Sequence, residues 1–231
     1  PYLKAGENVL SVQVIRWGDG SYLEDQDHWR VSGIQREVFL MAEPKLRIQD
    51  FFYQTKLDKR YEDAIFQLRP KLENLTGDNK VYDYSFEVQL YDAKNQPLFK
   101  EALKKTVKDI MNESYPRLDN VRFGMFKETI KNPLKWSAES PNLYTLTLTL
   151  KDSKGQISEV KSCKLGFRSI EFSKENGKML INGKETYVYG INRHDHHPIK
   201  GKAVSRADIL EDINTIKKYN ATLDLKLLRC F

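Results

Sequence analysis

Cysteine is scarce: Cys163 and Cys230 are the only two in a chain of 231 residues. They stand far apart and match no metal-ligand spacing, so Cys163 reads as a free buried thiol. The count neither requires nor excludes an oxidising compartment. Long hydrophobic runs are missing too. No stretch approaches the roughly 20 apolar residues of a membrane-spanning helix, which argues against an integral membrane protein. The chain opens on Pro1 rather than methionine, and no signal-like segment follows. The natural N-terminus is therefore expected upstream, and the compartment, cytoplasmic or periplasmic, stays open. An arginine-rich arm and an aromatic RNA-binding motif are also lacking. The net charge of +6 is spread along the chain and reads as a solvated, lysine-rich surface, so no nucleic-acid partner is expected.

What is present has a soluble, globular balance, with 40% hydrophobic and 30% charged residues. Hydrophobic patterning divides the chain into three regions. In Val9 to Trp17, Leu10, Val12 and Val14 alternate with their neighbours at the period of a half-buried strand, and residues 34–44 return as a second strand. So few strands cannot close a core, and this region is expected to be the last part of a larger β-sandwich. From Lys45 to Arg168, strand-like runs at 45–58, 64–74, 81–92, 121–130, 143–152 and 157–168 are separated by turn residues such as Asp152-Ser153-Lys154-Gly155. Six or seven short strands over such a length have the pattern of an immunoglobulin-like sandwich, here without the antibody-type cysteine pair. Beyond Ser169, two strand-like runs meet at Asn182-Gly183, a hairpin signal. "SRADILEDINTIKKYN" then reads as a helix, with Ser205 as N-cap, Asp208 completing an Asp variant of the capping box, and Ile209, Ile213 and Ile216 on one face. A strand followed by a helix is a single βα unit, which cannot bury both its faces alone.

Two constellations could carry chemistry. The first is "RWGDGSYLEDQDHWR" (16–30), where Asp19, Glu24, Asp25 and Asp27 lie among Trp17, Tyr22 and Trp29. Carboxylates accept hydrogen bonds from sugar hydroxyls or bind hard cations, and flat rings suit the C–H face of a sugar. The blander alternative has the acids solvated or paired with Arg16 or Arg30 and the tryptophans in the core. The second is "NRHDHHP" (192–198), which gathers His194, His196 and His197 around Asp195. His194 and His196 share a face if the strand runs that far. At the C-terminal end of the first strand of a (β/α)8 barrel, these residues would face substrate.

Three stretches together resemble the β-galactosidases of glycoside hydrolase family 2. Residues 8–40 are similar to the strand–loop–strand that closes the family's N-terminal jelly-roll sugar-binding domain. "NPLKWSAESPNLYTLTLTL" (132–150) is similar to the late part of its immunoglobulin-like domain, and residues 177–220 to the entry into its catalytic barrel. The resemblance implies a mainly β chain in three parts. Residues 1–43 would be the C-terminal part of the jelly-roll domain, 44–169 the complete immunoglobulin-like β-sandwich, and 170–231 the start of the TIM-barrel domain with its first βα unit.

The resemblance also implies an activity. The parent protein would be a retaining exo-β-galactosidase that removes terminal non-reducing β-D-galactose from galactosides. Magnesium and sodium would assist it, and the full-length protein would be a homo-oligomer. Asp27 matches an aspartate that binds the galactose 6-hydroxyl and helps hold sodium; His194 matches a histidine that contacts the galactosyl group. No catalytic residue falls in this chain, since both glutamates of the family, acid/base and nucleophile, come from later barrel strands. The 231 residues alone are expected to be inactive. The chain departs from the family's pattern at Gly18, His28 and Asp195. After Asn220 it reads "ATLDLKLLRCF" where the family leads into a further histidine motif. Two alternatives remain open: a sister hydrolase acting on glucuronides or mannosides, and a non-catalytic β-sandwich binding module.

Overall fold

The computed structural model describes residues 3–24, 31–112, 126–219 and 223–224. Residues 3–24 and 31–45 contain one helical turn, α1 (Gly20–Leu23), and no strand. The two strands expected at 9–17 and 34–44 are not formed. Leu10, Val12 and Val14, whose alternation suggested the first, are all exposed, as are Val9 and Ile15. Alternation only makes a segment competent to pair, and a strand is stabilised by its cross-strand neighbours. Among the described residues neither segment has one.

The sandwich is formed as expected, with seven strands. They are β1 (Leu46–Leu57), β2 (Ala64–Asn74), β3 (Ser85–Tyr91), β4 (Leu103–Thr106), β5 (Phe126–Ile130), β6 (Tyr144–Lys151) and β7 (Ile157–Leu165). One sheet has the order β1-β2-β5 and the other β4-β3-β6-β7, with every pairing antiparallel. The period of two in the sequence is the period of burial. Tyr144, Leu146, Leu148 and Leu150 of β6 point inward, as do Ala64, Phe66 and Leu68 of β2. Both sheets thus contribute to a single core, in which Phe66, Leu68, Phe86, Val88, Leu90 and Leu148 are wholly buried. Each such side chain contributes roughly 1.5–3 kcal/mol relative to an exposed one. Three elements were not legible in the sequence: β4 falls in none of the expected runs. The run 81–92 begins as a 3-10 turn over Asn79–Asp83, and a short helix, α2 (Val107–Asn112), buries Val107 and Ile110 in the same core.

The edge strands β1 and β7 are joined by side chains. The Ile48 N–H donates to Glu159 (2.6 Å) and Lys161 donates to the Ile48 carbonyl (2.6 Å), where β1 carries a bulge between Ile48 and Asp50. An edge strand has outward backbone groups without ladder partners, and these two side chains satisfy those of Ile48.

A third sheet, of order β10-β9-β8, contains β8 (Ile170–Phe172), β9 (Met179–Ile181) and β10 (Lys184–Glu185). Asn182 and Gly183 join β9 to β10 with φ values of 51° and 75°, as a two-residue hairpin requires. Asn182 also anchors this sheet to the preceding chain. Its side chain accepts from the Ser169 N–H (2.9 Å) and donates to the Trp136 carbonyl (3.0 Å).

The last elements are β11 (Gly190–Ile191), α3 (Arg206–Lys218) and β12 (Leu223–Asp224). β11 and β12 pair in parallel, Gly190 opposite Leu223 and Ile191 opposite Asp224, with α3 between them in sequence. This is a βαβ unit. Two compact units result, Met41–Tyr187 and Pro1–Leu40 together with Val188–Phe231.

Candidate functional site

The chain leaves β11 at Ile191 and crosses to α3 through residues 192–205, which include the histidine motif. Burial alternates along that motif: Arg193, Asp195 and His197 are half-buried, while His194 and His196 are exposed. The alternation of burial thus continues past the end of the ladder, although the chain bends at Asp195, where the His196 N–H donates to the His194 carbonyl (2.9 Å). It puts the His194 and His196 rings on one side, with centroids 6.4 Å apart, and the other three side chains on the opposite side.

The inward side is held by charge. Only 10% of the Arg193 side chain is exposed. Its Nε–H donates to Asp212 Oδ2 of α3 (2.8 Å), and Nη2 lies 2.7 Å from the same oxygen at an angle that makes no hydrogen bond. Nη1 donates to Asp195 Oδ1. The other oxygen of that carboxylate, Oδ2, accepts from Arg36 Nη2 (2.5 Å). Arg36 Nη1 in turn donates to the carbonyls of Lys202 (2.8 Å) and Gln35 (3.0 Å). Burial pushes the Asp195 carboxyl up, but the Arg193 and Arg36 guanidiniums outweigh it and hold the group below its ordinary value. Burial likewise works against the Arg193 charge, and Asp195 and Asp212 outweigh it. Asp195 is thus committed to two arginines.

His197 shapes the turn that follows. Its Nδ1 accepts from the backbone N–H groups of Ile199 (3.1 Å) and Lys200 (3.3 Å), while the His197 backbone N–H donates to the Gly201 carbonyl (2.7 Å). Lys200 then donates to both oxygens of Asp208 (2.9 Å each). Asp208 closes the capping box of α3, accepting from the Ser205 N–H (2.7 Å), while its own N–H donates to Ser205 Oγ (3.3 Å). The Ser205 backbone donor, Lys200 and the Ser205 hydroxyl together hold the Asp208 carboxyl far below the ordinary range.

Of the expected site residues, His194 stands exposed on the outer side of the motif, beside His196. Asp27, with its neighbours Asp25 and Trp29, lies outside the described residues. In the described part of the first constellation, Trp17 is exposed and Arg16 stacks 4.9 Å from its ring centroid, so this tryptophan is not a core residue. Asp19 sits at the N-cap position of α1. No three His, Cys, Asp or Glu side chains among the described residues stand together as a metal site. Sequence reasoning missed Arg36 and Asp212, which precede and follow the motif at long range. It could have found the Arg193–Asp195 pair, since residues i and i+2 of an extended segment share a face.

Comparison with known proteins follows the same order along the chain. Residues 1–44 match the sugar-binding domain of glycosyl hydrolases family 2, residues 46–168 match glycosyl hydrolases family 2 itself, and residues 172–223 match its TIM barrel domain. A β-galactosidase of Priestia megaterium is 44% identical over 220 residues, covering 95% of this chain and 20% of that protein. One of Psychromonas ingrahamii is 38% identical over 219 residues with the same coverage. The chain thus spans 20% of the length of these relatives. Among solved structures, the β-glucuronidase of Parabacteroides merdae aligns with a TM-score of 0.62 at 22% identity, over 77% of this chain and 20% of that one. A family 2 member from Bacteroides cellulosilyticus aligns at 0.60 and 21% identity, over 78% and 23%. At these identities the two structures show a shared fold. With one family match spanning the whole sandwich and two more flanking it, the chain belongs to family 2 of the glycosyl hydrolases.

Proposed function

We propose that this chain is part of a retaining exo-β-galactosidase that hydrolyses terminal, non-reducing β-D-galactose residues. One observation carries the reading: relatives named β-galactosidase are 44% and 38% identical across 95% of the chain. The β-glucuronidase above is only 22% identical and shares the fold. In this reading, residues 1–43 close a sugar-binding domain, 44–169 form a spacer sandwich, and 170–231 open the catalytic barrel.

The chain's own part in the chemistry is to bind and orient. His194 contacts the galactosyl group, and Asp27 accepts from the galactose 6-hydroxyl and contributes to a sodium site. A contact of this kind accelerates hydrolysis only if it strengthens as the sugar approaches its oxocarbenium-like transition state. Exposure of His194 on the outer side of a loop held from behind by Arg193 and Asp195 supports this role. Sodium, when bound, supplies a positive charge that orients hydroxyl oxygens, and magnesium is assigned to no residue of this chain. The two catalytic glutamates are expected on later barrel strands, so the 231 residues alone are inactive.

The test uses a full-length protein carrying these residues. It should cleave nitrophenyl β-galactoside, and proton NMR should show the β-anomer of galactose as the first product. No cleavage, with activity on the β-glucuronide instead, would assign the protein to a sister hydrolase. An α-anomer as first product would refute the retaining mechanism.

A further inference from the structure

We propose that Asp195 is a positioning residue, whose carboxylate clasps Arg36 and Arg193 together and so ties residues 31–40 to the loop that presents His194. The inference rests on the reading of His194 as a sugar contact, and it adds a role for three residues that do not touch sugar in that reading.

The geometry gives one carboxylate two different duties. Oδ1 accepts from Arg193, which is itself fixed to α3 through Asp212. Oδ2 accepts from Arg36 (2.5 Å), which also donates to the Lys202 carbonyl (2.8 Å) at the far end of the loop. Asp195 thus joins two arginines, and through them four segments are linked: residues 31–40 and the turn at Lys202 by way of Arg36, the chain just after β11 and α3 by way of Arg193. His194 lies between Arg193 and Asp195, and both neighbours are pinned on the opposite side of the chain. Neither a helix nor a sheet ladder covers residues 192–196, so beyond one local bond, from the His196 N–H to the His194 carbonyl (2.9 Å), side-chain contacts are what fix the backbone there. Arg36 belongs to the segment that follows the acidic and aromatic stretch 16–30, so the clasp joins the two parts of the chain that carry the candidate sugar contacts.

The arrangement also explains why a carboxylate is needed. The carboxylate has four lone-pair sites and can serve two guanidiniums at once. Asparagine offers a single oxygen and points an amide toward the second arginine. Arg193 would then be left nearly buried with Asp212 as its one carboxylate, and Arg36 would keep only backbone carbonyls.

Such a clasp preorganises the loop before substrate arrives, so its loss should appear mainly as weaker binding. The experiment compares Asp195→Asn, Asp195→Glu, Arg36→Gln and the Asp195→Asn/Arg36→Gln double variant in the full-length protein. For nitrophenyl β-galactoside, KM should rise about fivefold in each of the two broken-clasp variants, within the range of coupled contacts, with kcat changed less. The double variant should be no worse than the poorer single one, and Asp195→Glu should recover most of the loss. Hydrogen exchange supplies a readout independent of activity. In both Asp195→Asn and Arg36→Gln, amides in residues 31–40 and in 192–202 should exchange faster together. Additive effects of the two substitutions, an unchanged KM, or faster exchange in one segment only would each overturn the clasp. If the wild-type protein cleaves no galactoside, the functional reading fails, and the exchange measurement still decides the clasp.

Discussion

Tyr61 and Gly183 show how single residues constrain this molecule. Tyr61 sits at a φ of 57° in the turn after β1, and its ring lies over Gly183. A methyl group built on Gly183 would come within 2.4 Å of that ring, and Gly183 itself has a φ of 75°. Glycine is needed there twice over, for the left-handed backbone and for the space. Gly183→Ala should therefore cost about 1–3 kcal/mol, measured by denaturant unfolding, more than the fraction of a kcal/mol expected of an ordinary surface change. An unchanged midpoint would mean that the Tyr61 ring moves away freely. Asp195 shows the opposite economy, one side chain committed to two cations. Its role was invisible in the sequence because Arg36 lies 159 positions away.

At the scale of elements, α3 is stabilised at its start more than along its length. Ile209, Ile213 and Ile216 are its least exposed apolar residues, and none is fully buried. The capping box of Ser205 and Asp208 therefore matters to whether the helix forms. Ser205→Ala should cost about 1 kcal/mol, within the range for lost N-caps. The Asp208 carboxyl is held below its unfolded value by the Ser205 backbone donor and by Lys200. Its contribution is accordingly complete above the ordinary aspartate pKa of about 3.9 and is lost as the pH falls from there through the lower folded value. Circular dichroism of wild type and Ser205→Ala across that range should show their stability difference shrinking only at the acid end. A difference that shrank near neutral pH would contradict the assignment.

The same elements show what could be read in the sequence and what could not. The sandwich strands other than β4, the Asn182-Gly183 hairpin and the Ser205 cap follow from local rules: alternation, turn chemistry and capping spacing. Each is visible within a dozen residues, and each is formed. The strands expected at 9–17 and 34–44 failed because pairing is not a local property. Alternation there produced an extended, exposed segment without a ladder among the described residues. α2 was missed because Val107 and Ile110 make one short turn whose burial is decided by the surrounding sheets. In the site, the histidine motif was legible as a polar cluster, whereas the arginines that fix it were not.

On the scale of the whole molecule, the chain combines a complete sandwich of two sheets with a single βαβ unit, in the order that family 2 uses. Its core belongs to the sandwich, and its candidate chemistry lies in the other compact unit, at the end of β11. Family membership and fold are settled by these features. The part proposed for this chain in galactoside hydrolysis depends on what His194 touches. That dependence is open to a direct measurement, the steady-state kinetics of His194→Ala on nitrophenyl β-galactoside in the full-length protein. Loss of a contact that strengthens in the transition state should lower kcat/KM by about 10²-fold. Because His194 is exposed, thermal stability should barely change. Full activity in a folded His194→Ala protein would contradict the account.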